Sequence, residues 1–151
     1  YCDIFTLGMT KQGALFGEAV VIVNPDLQKD FRYHIKQRGG MLAKGWLMGL
    51  QFETLMEDGL YFELSKHAID LALQLREGLK NLGISFFADS PSNQQFPILS
   101  NTVINALRDS FGFQLTQRVN DTSSAIRFCT SWATCAEDVE ALLDAIAQAL
   151  V

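Results

Sequence analysis

One lysine near the start of the chain has neighbours that suit covalent chemistry. Lys11 lies in a turn rich in small residues, between an apolar segment that ends at Gly8 and another that begins at Ala19. Glycines at positions 8 and 13 let the backbone approach a ligand closely. A lysine amine activated by burial or by a nearby cation can form a Schiff base with a carbonyl group. The neighbouring Thr10 offers a hydroxyl to a phosphate, and the alternative for Lys11 is an ordinary exposed turn lysine.

An arginine near the C-terminus is the second candidate. Residues 125–132 alternate in character, so Arg127 shares one face of the predicted strand with Ala125 and Cys129, and the opposite face is apolar. The apolar face is expected to pack on the last helix, which leaves Arg127 pointing away beside small residues. A guanidinium group binds a carboxylate through two parallel hydrogen bonds. The alternatives are therefore a carboxylate ligand and a structural ion pair within the same lobe. Cys129 is expected to be a small packed thiol rather than a nucleophile.

Composition narrows the class of protein. The 151 residues are 48% hydrophobic with a net charge of -5, which is typical of a packed domain and, without a basic stripe, argues against nucleic acid. Three cysteines without metal-ligand spacing predict no metal site and a reducing, cytoplasmic location. The apolar segment 41–50 contains Lys44 and is too short to cross a bilayer, so no membrane association is predicted.

The first third of the chain predicts two strands and two helices, and the first strand is the apolar run that ends at Gly8. The β-branched run at residues 19–23 predicts a strand buried on both faces, as in a parallel or mixed sheet. Asn24 followed by Pro25 predicts the start of a helix over about 25–37. Residues 41–57 are apolar on nearly every side, which predicts a deeply buried helix.

The remainder predicts a long helix followed by a mixed lobe. Residues 60–82 have helical periodicity, and Gly83 is placed to end that helix. Thr134 and Glu137 have the spacing of a capping box before a last amphipathic helix. Between these helices the sequence predicts strands at 84–87, 96–99, 113–118 and 125–131 and a helix at 101–110. The predicted class is α/β, with a sheet-domain end at 1–58, a connecting helix at 59–82 and a small α+β domain at 83–151.

Three segments resemble the threonine aldolase and β-eliminating lyase family of pyridoxal-phosphate enzymes. They are residues 3–17 around Lys11, the Arg-Gly-Gly-Met-Leu-Ala-Lys-Gly segment at 38–45, and residues 126–139 around Arg127. Their order and spacing match the family, and the resemblance extends over nearly the whole chain. The resemblance implies the aspartate aminotransferase fold (fold type I), of which this chain would be the C-terminal portion.

The resemblance also implies a role for each candidate residue. Lys11 would hold pyridoxal 5'-phosphate covalently, Thr10 would lie near its phosphate, and Arg127 would bind the α-carboxylate of an amino-acid substrate. The implied reaction is the cleavage of threonine or another β-hydroxy amino acid to glycine and an aldehyde. Asn93-Gln94-Gln95 would border the substrate, and family members usually form homodimers or homotetramers.

The same resemblance implies a limit. The family's ring-stacking histidine, the aspartate that pairs with the pyridine nitrogen and most phosphate ligands would lie upstream of Tyr1. The chain alone is therefore expected to be inactive. The remaining alternatives are another reaction with the same cofactor, such as β-elimination or transamination, and a non-catalytic dimerisation module, which the apolar segment 41–57 suggests.

Overall fold

The computed structural model describes residues 1–151 and divides them into two compact units, residues 1–63 and residues 64–151. The predicted domain boundaries at 58 and 82 stay a prediction. The strands are β1 (Ile4–Gly8), β2 (Glu18–Ile22), β3 (Phe86–Ala88), β4 (Gln94–Ser100), β5 (Gln114–Arg118) and β6 (Ser123–Cys129). The helices are α1 (Phe31–Gln37), α2 (Trp46–Met56), α3 (Leu60–Asn81), α4 (Asn101–Leu107) and α5 (Ala136–Ala149).

The first unit contains a two-stranded antiparallel sheet. β1 and β2 pair from Ile4 opposite Ile22 to Gly8 opposite Glu18. The sequence correctly predicted a strand here, but the prediction that both of its faces are buried is wrong for this chain. Val20 is 43% exposed, because a strand with one neighbour and no covering layer cannot bury both faces.

Both predicted helices of the first unit are shorter than expected. The segment 25–37 divides into a 3₁₀ turn at Pro25–Leu27 and the helix α1, because Asp30 adopts a left-handed conformation with φ of 57°. α2 begins at Trp46 rather than at residue 41. The prediction that it is deeply buried is also wrong here, since Trp46 is 65% exposed and Leu55 is its only buried residue.

The second unit has a four-stranded antiparallel sheet in the order β3-β4-β6-β5 and a continuous apolar core. Side chains from α3, α4, α5 and the sheet meet in that core, where Leu79, Ile126 and Ile146 are fully buried. The long helix predicted over 60–82 is confirmed as α3. Gly83 ends it with φ of 77°, and the amide of Ile84 donates to the carbonyl of Leu79 at 3.1 Å.

The last helix begins one residue later than the capping-box prediction. The amide of Cys135 donates to the Asp138 carboxylate at 3.0 Å, so Cys135 and Asp138 form the reciprocal pair rather than Thr134 and Glu137. Thr134 is not available as the cap, because its hydroxyl accepts a hydrogen bond from the amide of Ser131 at 3.0 Å. The first turn of α5 contains two acidic residues, Glu137 and Asp138, which favour a helix N-terminus.

None of the helices combines the length and the apolar character that spanning a membrane requires.

Candidate functional site

Lys11 lies at the centre of a tight turn that joins β1 to the rest of the first unit. The turn is a 3₁₀ segment, Thr10–Gln12, and it is held by the fully buried Met9. The carbonyl of Met9 accepts hydrogen bonds from the amides of Gln12 and Ala14, both at 3.0 Å. The turn therefore has a buried anchor and exposes the lysine side chain above it.

The lysine amine forms no ion pair, because none of the five ion pairs in the structure includes it. Thr10 beside it is also exposed, so the turn presents both a hydroxyl and an amine to solvent. Gln12 contributes a buried side-chain oxygen that lacks a hydrogen-bond partner. An amine without an ion-pair partner and an exposed hydroxyl fit the roles that the sequence predicted for Lys11 and Thr10, toward a carbonyl group and a phosphate.

The second half of the same loop contacts α2. The amide of Leu15 donates to the side-chain oxygen of Gln51 at 2.7 Å. At Gly17, where φ is 94°, a Cβ atom would lie only 2.7 Å from the sulfur of Met48. A cavity of about 290 Å³ is lined by the loop and by α2, with Gly13, Leu15, Gln51 and Leu55 among its walls.

Arg127 lies on β6, the strand between β4 and β5, and its side chain is half-buried. Its guanidinium donates to the side-chain oxygen of Gln94 on β4 at 3.2 Å and to that of Gln114 on β5. Arg127 takes part in none of the five ion pairs, so the structural ion pair left open by the sequence is not formed. Two neutral side-chain amides orient the guanidinium group of Arg127, and no carboxylate neutralises its charge.

The opposite face of β6 is buried as predicted. Ile126 is fully buried and Phe128 is 4% exposed, and both belong to the core that includes α5. Trp132 does not extend this face, because β6 ends at Cys129 and Trp132 is 50% exposed. The prediction of a packed thiol at Cys129 is wrong, since that residue is exposed.

The segment Asn93-Gln94-Gln95 runs beside Arg127. The side-chain amide of Asn93 donates to the carbonyl of Thr130 at 2.7 Å, which fixes the start of β4 against the end of β6. Gln94 reaches the guanidinium, whereas Gln95 is 1% exposed and its amide donates to the carbonyls of Ser90 and Ser92. Within this segment Gln94 is therefore the residue that contacts Arg127, and Gln95 is buried.

The predicted site residues are distributed over both units, with Lys11 and Thr10 in the first and Arg127 in the second. Two contacts were missed by sequence reasoning: Gln114 on the guanidinium and Gln51 on the lysine loop. The pairing of Gln114 with Arg127 depends on the register of β5, which contains an irregularity between Leu115 and Gln117. No pattern in a single sequence reports such a register.

Comparison with known proteins shows what this chain is similar to. No family model matches the chain. The low specificity L-threonine aldolase of Pseudomonas aeruginosa is 30% identical over 93% of this chain, and that of a Pseudomonas species is 29% identical over 87% of it. A solved structure of Leishmania major threonine aldolase is 42% identical and superposes with a TM-score of 0.92 over 99% of this chain. Over nearly its whole length the chain is similar to threonine aldolases.

The chain spans less than half the length of the proteins that it matches. It covers 40% and 38% of the two bacterial enzymes and 44% of the Leishmania chain. Its fold is the C-terminal part of the threonine aldolase fold, a fold type I architecture, as the sequence predicted. The roles of Lys11, Thr10 and Arg127 stay predictions at this point, because the similarity concerns the chain as a whole.

Proposed function

We propose that the complete protein is a pyridoxal-phosphate-dependent aldolase that cleaves threonine or another β-hydroxy amino acid to glycine and an aldehyde. The observation that carries the proposal is the similarity to Leishmania threonine aldolase, at 42% identity over 99% of this chain. The geometry of Lys11 and Arg127 supports it independently, since each presents a cation that no carboxylate of the chain neutralises.

Lys11 and Thr10 are the residues that would hold the cofactor. Lys11 would supply the covalent attachment and Thr10 a hydrogen bond to the phosphate. When bound, pyridoxal 5'-phosphate supplies an electron sink that accepts the electrons of a broken bond at the α-carbon of an amino acid. The turn contributes rigidity, because its hydrogen bonds to Met9 hold the backbone around Lys11 in place.

Arg127 would bind the α-carboxylate of the substrate. The amides of Gln94 and Gln114 accept from two nitrogens of the guanidinium, which restricts its rotation without cancelling its charge. A fixed, uncompensated guanidinium favours a carboxylate ligand, because charge-assisted hydrogen bonds are about twice as strong as neutral ones. The substrate would thereby be oriented by its carboxylate, and its side chain left free for the cleavage step.

The finer assignments concern assembly and location. A homodimer or homotetramer is proposed from the resemblance alone, and a cytoplasmic location from the cysteine content. The first is tested by the mass of the full-length protein in solution, and the second by its localisation in cells.

The test of Lys11 uses the full-length protein loaded with pyridoxal 5'-phosphate and reduced with borohydride. Peptide mapping should find the cofactor on Lys11, and Lys11→Ala should lose the visible absorbance band of the lysine-bound cofactor. Lys29→Ala, which changes another exposed lysine of the same unit, should keep the band. A reduced adduct on any other lysine would overturn the assignment.

The test of Arg127 measures steady-state kinetics with threonine. Arg127→Ala should keep the cofactor band but raise KM roughly 10- to 100-fold, the effect of losing charge-assisted hydrogen bonds. Arg118→Ala is the matched control, because Arg118 lies on the neighbouring strand and is already paired with Asp121 at 2.7 Å. Equal kinetic losses in both variants would contradict a specific role for Arg127.

The products decide between reactions that share the cofactor. Aldol cleavage converts threonine to glycine and acetaldehyde, whereas β-elimination releases ammonia and a 2-oxo acid. Ammonia without glycine would replace the proposed reaction by elimination. A full-length protein that neither binds the cofactor nor turns over any β-hydroxy amino acid would favour the non-catalytic dimerisation module.

A further inference from the structure

One glutamine of α2 links that helix to the loop that carries Lys11. The side-chain oxygen of Gln51 accepts a hydrogen bond from the amide of Leu15 at 2.7 Å. Its side-chain nitrogen lies 3.5 Å from the carbonyl of Phe16 and 3.4 Å from that of Leu47 within the helix. A single amide group therefore contacts both a donor and an acceptor of consecutive loop residues.

The loop depends on these contacts because little else holds its second half. Backbone hydrogen bonds within the loop involve residues 9–14 and end with the bond from Ala14 to Met9. Packing does not replace them, since Leu15 is 84% exposed and Phe16 is 46% exposed. Gln51 is thus the side chain that joins this part of the loop to a regular element.

The backbone at Gly17 supports the same geometry. Gly17 has φ of 94°, and a Cβ atom there would lie 2.7 Å from the sulfur and 3.3 Å from the Cγ of Met48. The loop accordingly approaches α2 closely at two points, through the Gln51 amide and at Gly17. The two contact residues of the helix are three positions apart and lie on one face.

We propose that Gln51 is a positioning residue for Lys11. By holding Leu15 and Phe16 against α2, Gln51 fixes the loop that follows the lysine turn and limits the positions open to the lysine amine. This inference rests on the proposed function, in which Lys11 attaches the cofactor. Gln51 does not touch the cofactor or the substrate in this assignment and acts only through the loop.

The experiment compares three variants of the full-length protein: Gln51→Ala, Gln51→Glu and Gln28→Ala. Gln51→Glu keeps an oxygen that can accept from the Leu15 amide. Gln28→Ala is the matched control, because it removes a 3.0 Å bond from another glutamine side chain to a backbone carbonyl, that of Ile22. The first readout is hydrogen exchange at the Leu15 amide without cofactor, and the second is the rate at which the lysine-bound absorbance band forms on adding pyridoxal 5'-phosphate.

Gln51→Ala should speed exchange at Leu15 about tenfold, the effect of one lost hydrogen bond, and should slow formation of the band. Gln51→Glu should restore slow exchange and most of the rate, and Gln28→Ala should change neither readout. Either of two results would overturn the inference. One is an unchanged exchange rate at Leu15 in Gln51→Ala. The other is a rate of band formation that falls as much in Gln28→Ala as in Gln51→Ala.

The two proposals fail in different ways. If the wild-type protein forms a band that Lys11→Ala abolishes, and Gln51→Ala forms it at the wild-type rate, Gln51 has no positioning role and the proposed function stands. If the wild-type protein forms no band, the proposed function fails, and the role of Gln51 toward a cofactor fails with it.

Discussion

The two units of this chain bury their apolar side chains very differently. The second unit encloses a continuous core in which Leu75, Leu79 and Ile126 are at most 2% exposed. In the first unit the buried apolar side chains are Met9, Ala14 and Leu55, and most of the chain's large exposed hydrophobic residues lie there. The difference indicates that residues 64–151 contain what they need to fold, whereas residues 1–63 present apolar surface that needs further protein to cover it.

The largest expected difference is in the cooperativity of unfolding when the two parts are prepared as separate fragments. Residues 60–151 should unfold cooperatively in urea, because their core offsets the entropy lost on ordering the chain. Residues 1–58 should show no cooperative transition, because the β1–β2 hairpin and α2 bury little apolar surface. Circular dichroism against urea measures both. A sharp transition in the 1–58 fragment would show that the first unit has a sufficient core and would remove the contrast.

Two helix glycines, one in each unit, allow the packing of the two units to be compared at single positions. A Cβ atom at Gly78 on α3 would lie 2.7 Å from the Cδ2 and 3.1 Å from the Cγ of Leu143 on α5. Gly78→Ala should therefore destabilise the second unit by about 1–2 kcal/mol, since overpacking exceeds the gain in helix propensity. Gly49 on α2 has no neighbour within 4 Å of that position. Gly49→Ala should instead stabilise α2 by up to about 1 kcal/mol.

Urea unfolding of the 60–151 fragment measures the Gly78 variant, and amide exchange of α2 in the whole chain measures the Gly49 variant. Leu143→Ala provides the control, because removing the obstructing side chain should make Gly78→Ala much less costly. Destabilisation of α2 by Gly49→Ala would mean that this helix is packed more closely than the rest of its unit.

The smallest expected effect concerns an exposed ion pair of the second unit. The pKa of Glu77 is lowered, chiefly because Lys80 donates a hydrogen bond to its carboxylate at 2.9 Å, and further by the charges of Lys80 and Arg76. Because the pKa is lower in the folded state, ionised Glu77 contributes stability above the usual glutamate pKa of about 4.3. That contribution is lost as the pH falls through the lowered folded value.

An NMR titration of the Glu77 carboxyl group measures this shift. Lys80→Met should return the pKa of Glu77 toward its ordinary value with only a slight loss of stability, since both partners are exposed. Lys66→Met, which breaks the Lys66–Asp70 pair on the same helix, should leave the Glu77 titration unchanged. A titration that shifts equally in both variants would show that the general charge of α3, rather than Lys80, lowers the pKa.

Most regular elements of the second unit could be predicted from the sequence. The periodicity of residues 60–82 predicted α3, and alternation around Arg127 predicted which face of β6 is buried, because one-sided burial imprints a period on the sequence. The same logic failed at α2. A helix that is apolar all round requires neighbours on every side, and this chain does not supply them.

At the candidate site and at the start of α5, too, some features could be predicted from the sequence and others could not. The sequence placed Lys11 in a turn and Arg127 opposite the core, since both positions follow from local pattern. The choice of Cys135 rather than Thr134 as the helix cap was not predictable, because the Thr134 hydroxyl is used by a neighbouring turn. Local motifs permit several partners, and the surrounding fold selects among them.

By itself, the sequence determined the residue types that chemistry requires and the faces on which they lie, because periods of two and 3.6 residues express burial directly. Only the tertiary structure decided what each of them contacts. It set Arg127 between the amides of Gln94 and Gln114 and joined the lysine loop to Gln51, which is 36 residues from Leu15 along the chain. Strand register and loop docking depend on contacts between residues far apart in sequence, and no local pattern specifies such contacts.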